Sequence, residues 1–323
     1  MKPTILLTGK TGQLGSELNR SLPRLGEVTA PDRDDLDLRK PEKIRRVMRD
    51  AKPQLVVNAA AYTAVDAAET DESDALAINA DGPQLLALEA KKLGAMLVHF
   101  STDYVFDGSK KTPYVESDSP NPLNAYGRTK LAGEQAIRDS GAAHLIFRTS
   151  WVYATHGRNF LLTILRLATE REELKIVDDQ VGAPTCAFDL AQAATRIVAG
   201  AIAPTNREVA PSPITGTYHM TATGHTTWFE FAKAILEQAT HAPQALAWLT
   251  SATGGRPLIA RRVLPISTEE FRSQTRRPAY SVLSNVLLMR TFGVALPDWR
   301  TQLARCFSSE TVLPNSLATR GPS

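Results

Sequence analysis

Tyr126 and Lys130 stand four positions apart in the stretch Asn124-Ala125-Tyr126-Gly127-Arg128-Thr129-Lys130. On a helix that spacing stacks the two side chains one turn apart on one face. A free phenol, with a pKa of about 10, holds its proton too firmly to trade it quickly at neutral pH. A neighbouring ammonium favours the phenolate and lowers that pKa toward the range of a working general acid–base. The same spacing also occurs where a tyrosine packs and a lysine is solvated, so the pair takes its meaning from the rest of the chain.

The elements that must position such a pair begin at the N-terminus. Thr4 to Thr8 is a short apolar run suited to a buried parallel strand. It ends in Gly9-Lys10-Thr11-Gly12-Gln13-Leu14-Gly15, with helical character from Glu17 to Leu25. Strand, glycine turn and helix together let backbone N–H groups approach a pyrophosphate at the helix N-terminus, although the spacing is G-x-x-G-x-x-G. Gly9, Gly12, Gln13, Leu14 and Gly15 are therefore candidate cofactor-binding residues. A second strand over Val28 to Ala30 places Asp32 about 20 positions beyond the turn, where an acidic residue binds the ribose hydroxyls of NAD. Arg33 follows at once and suits the 2′-phosphate of NADP, so NADPH or NADH are both expected. Asp37 and Leu38 are placed to hold an adenine, the carboxylate accepting from its amino group and the leucine covering a face.

Pro41 to Asp50 reads as a helix and Gln54 to Asn58 as a third strand, ending in the small residues Ala59-Ala60-Ala61 before Tyr62-Thr63. Small side chains at a strand's C-terminal end leave room for a ligand, which sits there in open α/β sheets. A helix over Ala75 to Leu93 and a strand over Met96 to Phe100 continue the alternation, which is that of a doubly wound parallel sheet. Ser101 and Thr102 each offer a hydroxyl at a strand end. Adjacent strand residues face opposite sides, so one of them points into a given site, and the pattern does not choose. His144 to Ser150 is a further strand, and Trp151 at its end is a natural lid or stacking surface.

At 323 residues the chain has room for two domains, with 43% hydrophobic and 22% charged residues. The net charge of +3 gives no nucleic-acid-binding surface. No apolar run approaches the roughly 20 residues that span a bilayer, and the first apolar run is too short for a signal peptide. Cys186 and Cys306 have no metal-ligand spacing and are too few for a disulfide framework. The chain reads as cytoplasmic.

These motifs form a set that closely resembles the dTDP-4-dehydrorhamnose reductases, in the extended short-chain dehydrogenase/reductase superfamily. The glycine turn and the Tyr126–Lys130 pair are superfamily-wide. More particular are Asn58-Ala59-Ala60-Ala61-Tyr62-Thr63, Ser101-Thr102-Asp103-Tyr104-Val105-Phe106, Phe147-Arg148-Thr149-Ser150-Trp151-Val152-Tyr153, Asp179-Gln180-Val181-Gly182-Ala183-Pro184-Thr185 and Arg276-Arg277-Pro278. The resemblance implies reduction of the 4-keto group of dTDP-4-dehydro-L-rhamnose to dTDP-L-rhamnose with NAD(P)H as hydride donor. It implies that Tyr126 is the proton donor, that Lys130 holds the cofactor ribose and tunes the phenol, and that Thr102 takes the superfamily's hydroxyl position. It also sets Thr102, Asp103 and Trp151 against the sugar, and Ala61, Tyr62, Thr63 and Phe100 along the cofactor. Some members are thought to dimerise through a metal bridged by glutamates. Glu17 sits where one ligand would lie, but Phe188 replaces another, so no metal is expected and the chain is taken as a monomer or homodimer.

Two other readings are weighed. A non-catalytic subunit similar to the regulatory beta subunit of methionine adenosyltransferase would not need the intact Tyr126, Lys130 and Thr102. A related dehydratase would want an Asp-Glu pair after the catalytic hydroxyl, where this chain has Asp103-Tyr104; an epimerase would retain its NAD.

Beyond Trp151 the alternation loosens. Helices are expected over Asn159 to Arg171, Phe188 to Ala199 and Thr226 to Ala239, the last capped by Thr226, with strands at Lys175 to Val177 and Thr217 to Met220. Arg256, Arg261, Arg262, Arg276 and Arg277 include candidates for a nucleotide diphosphate, because the planar guanidinium fork fits phosphate oxygens. We divide the chain into a dinucleotide-binding domain, residues 1–152 with 181–222 returning to it, and a smaller substrate-binding lobe, residues 153–180 and 223–310. Ala201 to Pro213 reads as a surface loop and residues 311–323 as a disordered tail.

Overall fold

Ile5 and Leu7 point to one side of strand β1, Thr4–Thr8, and Leu6 to the other, and all three are fully buried. A strand with no polar face must be covered on both sides, which is the requirement that shapes the whole molecule. The computed structural model describes residues 2–202, 214–242 and 246–308. Helix α1, Gln13–Ser21, starts four residues before the expected Glu17 and gives way to the 3-10 turn Leu22–Arg24. Its first turn carries Gln13, Gly15 and Ser16 around a single core residue, Leu14, so the apolar periodicity begins late.

Strand β2, Glu27–Thr29, lies at the sheet edge. Helix α2, Pro41–Ala51, opens on a proline that needs no N–H there and buries Ile44 and Met48, one turn apart. Strand β3 is Leu55–Asn58. The single helix expected over Ala75 to Leu93 is three pieces: Glu72–Leu76, a π-helical turn Ala77–Asp81, and α3, Gly82–Leu93. The π turn directs Asn79 inward. Its Oδ1 accepts from Tyr62 N at 2.8 Å, and its Nδ2 donates to Tyr62 O and to Thr129 Oγ1, each at 3.1 Å. A functional loop is thereby tied to the helix that carries Tyr126.

Strand β4, Met96–Thr102, helix α4, Ala125–Ser140, and strand β5, His144–Thr149, complete the alternation. Asn124 caps α4 by accepting from Gly127 N at 2.8 Å. Then come α5, Phe160–Ala168, β6, Glu173–Val177, α6, Ala187–Ile202, β7, Gly216–His219, α7, Trp228–His241, and β8, Arg262–Ile266. The cap of α7 is Thr227, one residue later than expected, accepting from Glu230 N at 3.1 Å.

The main sheet has the order β7-β5-β4-β3-β1-β2, and every neighbouring pair is parallel. Helices α1 and α6 cover one face through Leu14, Leu18, Leu190 and Ile197. Helices α2, α3 and α4 cover the other through Ile44, Met48, Leu86 and Ile137. This is the expected doubly wound parallel sheet. A separate apolar cluster joins α5, β6, α7 and the helix Trp299–Cys306, with Leu161, Leu165, Phe231 and Trp299 at its centre. There β6 pairs in parallel with β8, apart from the main sheet. Of the expected loop from Ala201 to Pro213, Ala201 and Ile202 end α6 and residues 203–213 lie outside the described residues, as does the expected tail. Among the described residues no helix is long and apolar enough to cross a membrane.

Candidate active site

After β1 the chain runs outward to β2 and then returns to β3 on the other side, so the loops at the C-terminal ends of β1 and β3 diverge. Open α/β sheets bind ligands in that crevice. Here it is a cleft of about 890 Å³. Every candidate cofactor, catalytic and sugar residue named above lines it except Gly15, and of the candidate arginines Arg277 does.

Gly15 acts from beneath. A Cβ there would sit 1.9 Å from Gly9 O, and one on Gly9, at φ +73°, would sit 2.7 Å from Ala60 N. The turn therefore closes only with glycine at both positions, and Gly12 at the start of α1 offers no side-chain cap. Backbone N–H groups of Gln13 and Leu14 are left facing the cleft at the positive end of a helix dipole, a cradle that fits a pyrophosphate. Asp32 pairs with Lys10, whose Nζ is 3.1 Å from Oδ1, and Arg33 stands beside it at the rim. Asp37 is gripped by Arg39 through Nη2 at 2.7 Å and Nε at 3.1 Å, which holds its carboxyl down to about 2. It is thus acceptor-only. Leu38 is buried below it, and Ala61, Tyr62 and Thr63 form the opposite wall.

Thr102, Tyr126 and Lys130 meet at the other end. Ser101 Oγ donates to Glu134 Oε1 at 2.6 Å on the far side of the strand, where Arg148 also holds that carboxylate at 2.7 Å. Alternation then turns Thr102 to the cleft, where its hydroxyl interacts with Tyr126. Burial pushes the Tyr126 phenol up to about 12; Thr102 pulls it back, and Asp103 adds to the rise. The lowering expected from Lys130 is not found. The lysine, 1% exposed, turns its Nζ to Phe100 O at 2.7 Å and to His99 Nε2 at 3.1 Å, and burial brings it down to about 8. Asp103 is 2% exposed, its Oδ1 accepts from Thr102 at 3.1 Å, and its Oδ2 has no hydrogen-bond partner. Burial raises its carboxyl to about 7, with the Ser281 and Thr102 hydroxyls opposing.

Trp151 takes a left-handed backbone, φ +45°. Its ring is clamped against Trp228, with centroids 3.5 Å apart and planes within 6°. Gly182 is needed at its edge, because a Cβ there would lie 2.4 Å from the indole. Sequence reasoning missed Trp228, Phe160 and Arg158, all in the cleft wall, and His99. The signal for His99 was one imidazole in an otherwise apolar strand interior; the other three carry no local mark. Of the five arginines, Arg277 reaches the cleft, pairing with Asp66 at 2.9 Å, whereas Arg256 and Arg262 pair with Glu170 and Glu173. Glu17 is taken up by Arg20 at 3.0 Å.

Comparison with known proteins places this geometry. Residues 1–312 match the family model described as the RmlD substrate binding domain. A dTDP-4-dehydrorhamnose reductase of Burkholderia thailandensis is 49% identical over 303 residues, 94% of this chain and 97% of that protein. The enzyme of the same name from Escherichia coli K12 is 42% identical over 305 residues, 93% and 96% of the two chains. The crystal structure of a dTDP-4-dehydrorhamnose reductase from Bacillus anthracis in complex with NADP superposes with a TM-score of 0.82 at 36% identity, covering 95% of this chain and 99% of that one. With a parallel sheet, a glycine cradle and a Thr-Tyr-Lys wall on one cleft, and relatives matched nearly end to end, this chain belongs to the dTDP-4-dehydrorhamnose reductase family.

Proposed function

We propose that this chain reduces the 4-keto group of dTDP-4-dehydro-L-rhamnose to dTDP-L-rhamnose, using NADPH or NADH. The observation that carries the reading is the convergence of Thr102, Tyr126 and Lys130 on one end of the cleft whose other end is the glycine cradle. Gly9, Gly12, Gln13 and Leu14 would hold the pyrophosphate, Asp32 and Arg33 the adenosine ribose, and Asp37 and Leu38 the adenine. Lys130 would hold the nicotinamide ribose, with Ala61, Tyr62, Thr63 and Phe100 along the cofactor. When bound, the nicotinamide supplies a hydride. Tyr126 gives its phenolic proton to the sugar's carbonyl oxygen, and the Thr102 hydroxyl stabilises charge on that oxygen as the C–O bond reduces to an alcohol. A phenol held up near 12 enters the reaction fully protonated, as a donor must.

Asp103 offers its unpaired Oδ2 to a sugar hydroxyl, and Trp151 covers the ring. Arg277 supplies a cation at the mouth for the nucleotide diphosphate. We assign residues 1–152 and 181–222 to cofactor binding and residues 153–180 and 223–310 to the substrate lobe, in a cytoplasmic monomer or homodimer. The test is loss of the reduced nicotinamide's near-ultraviolet absorbance with enzymatically generated dTDP-4-dehydrorhamnose, NADH beside NADPH and wild type beside Tyr126→Phe. Oxidation of either cofactor, lost in the variant, supports the reading; a folded protein that oxidises neither overturns it.

A further inference from the structure

The chain has two cysteines, and the fold brings them together. Cys186 and Cys306 stand 120 positions apart, yet their Sγ atoms are 3.9 Å from each other. Both are free thiols, Cys186 buried and Cys306 half-buried. Cys186 ends the short strand Thr185–Cys186, whose parallel partner Val152–Tyr153 directly follows Trp151. It is fixed there: its N–H donates to Gln302 Oε1 at 2.7 Å, and Thr185 N–H donates to Trp151 O at 3.2 Å. Cys306 closes the helix Trp299–Cys306, and its carbonyl accepts from Trp248 Nε1 at 3.1 Å. Gln302 and Cys306 lie one turn apart on that helix, so a single face holds the Cys186 backbone and meets its sulfur. Tyr153, the register partner of Cys186, is fully buried, and both thiols act on its phenol. Among the described residues its hydroxyl has no hydrogen-bond partner.

Little movement separates this pair from a bond. Sulfurs joined in a disulfide are about 2 Å apart, so these must approach by roughly 2 Å. Cys306, at the end of its helix, can supply that motion while the paired strand of Cys186 stays in place.

We propose that Cys186 and Cys306 form an oxidant-responsive modification site: hydrogen peroxide converts the two thiols into a reversible disulfide that staples the C-terminal helix to the strand behind Trp151. Cys306, the more exposed thiol, gives up its proton and its sulfur attacks one peroxide oxygen. The S–O bond forms, the O–O bond breaks, and the departing hydroxide takes that proton as water. The Cys186 sulfur then attacks the sulfenic acid. The S–S bond forms, the S–O bond breaks, and the second departing hydroxide takes the Cys186 proton as water. Two electrons pass from the sulfurs to the peroxide. The Tyr153 hydroxyl can donate to the sulfenic oxygen and so help it leave. A dithiol reductant returns the two electrons by exchange.

Contact with the Cys186 thiol and burial push the Cys306 thiol up, and the thiolate is the attacking form. The site therefore answers to sustained oxidant and not to a brief pulse. Disulfides of cytoplasmic proteins are characteristically transient ones of this kind. The cross-link spans 120 positions and lowers the entropy of the unfolded chain, so the oxidised protein is the more stable form. Neither cysteine lines the cleft, and the reacting groups keep their places. This chemistry is independent of the reductase reaction.

Full-length reduced protein is treated with hydrogen peroxide, freed of oxidant with catalase, denatured, alkylated and digested, and its peptides are weighed. The expected result is one species joining the Cys186 and Cys306 peptides, lighter than their sum by two hydrogens, with neither cysteine alkylated. Dithiothreitol should restore both thiols. The thermal midpoint of the oxidised protein should be higher by on the order of 5 °C, and the rise should be absent in Cys306→Ala. Two cysteines that both stay alkylatable in folded, peroxide-treated protein overturn the proposal. So does a linkage formed only between chains, or a Cys306 sulfinic acid with Cys186 left free. A linked protein with an unchanged midpoint overturns the staple. Turnover is not the readout, so none of these results touches the reductase reading.

Discussion

Asp103→Asn is the substitution whose consequences the structure works out most fully. The carboxyl is buried, one oxygen is bonded to Thr102, and the other has no partner. Raising it from the ordinary 3.8 to about 7 corresponds to about 4 kcal/mol. The folded protein binds that proton more tightly than the unfolded chain does. Its stabilising effect is therefore complete below the unfolded carboxyl's 3.8 and is lost as pH rises through about 7. Asparagine has the same shape and no charge to desolvate. Wild type and variant should unfold at similar temperatures near pH 4, and the variant should gain progressively to pH 8, by up to about 4 kcal/mol or on the order of 5 °C at this length. The measurement is the thermal midpoint of both proteins, by calorimetry, in steps from about pH 4 to pH 8. Activity should move the other way. Losing a charged acceptor for a sugar hydroxyl should lower kcat/KM roughly 10- to 100-fold. A stability difference that stays flat with pH would refute the raised carboxyl, and a more stable variant with full activity would refute its place against the sugar.

Tyr126→Phe keeps the ring and removes the proton. Turnover should fall about 10²- to 10⁴-fold with cofactor affinity nearly unchanged, and near-normal turnover in stopped assays would end its role as donor. Lys130→Met should weaken cofactor binding, read by nicotinamide fluorescence, and slow the reaction; an effect on neither would leave the lysine a purely structural group. Gly15→Ala drives a Cβ to 1.9 Å from Gly9 O, so the cradle must open and cofactor affinity should drop by at least about tenfold. Unaltered affinity in that variant would mean that the turn does not hold the pyrophosphate. Arg33→Gln should raise KM for NADPH on the order of tenfold more than KM for NADH, since Lys10 already engages Asp32 and leaves Arg33 for a 2′-phosphate; equal changes for both cofactors would remove Arg33 from the ribose site.

The sequence by itself determined what depends on near neighbours. The run Ile5-Leu6-Leu7 has no polar face, so it had to be a strand covered on both sides. Alternation with helical segments fixed a parallel sheet, and Gly9, Gly12 and Gly15 fixed the turn that β1 must make into α1. The spacing of Tyr126 and Lys130 put them on one helix face. Tertiary structure alone decided where those side chains point. Lys130 on α4 turns its Nζ to His99 and Phe100, because a buried amino group must find hydrogen-bond partners and strand β4 supplies them. Ser101 is drawn to Glu134, a carboxylate that Arg148 also holds, and Thr102 faces the cleft. The π turn at Ala77–Asp81 exists to seat Asn79 against Tyr62 and Thr129, and no local propensity announces it. Trp151 is held at positive φ by Trp228 and by the bare backbone of Gly182, residues far from it in the chain. Periodicity and turn chemistry are written in short stretches; hydrogen-bond partners and ring stacks are chosen by whichever distant residues the packed sheet brings within reach.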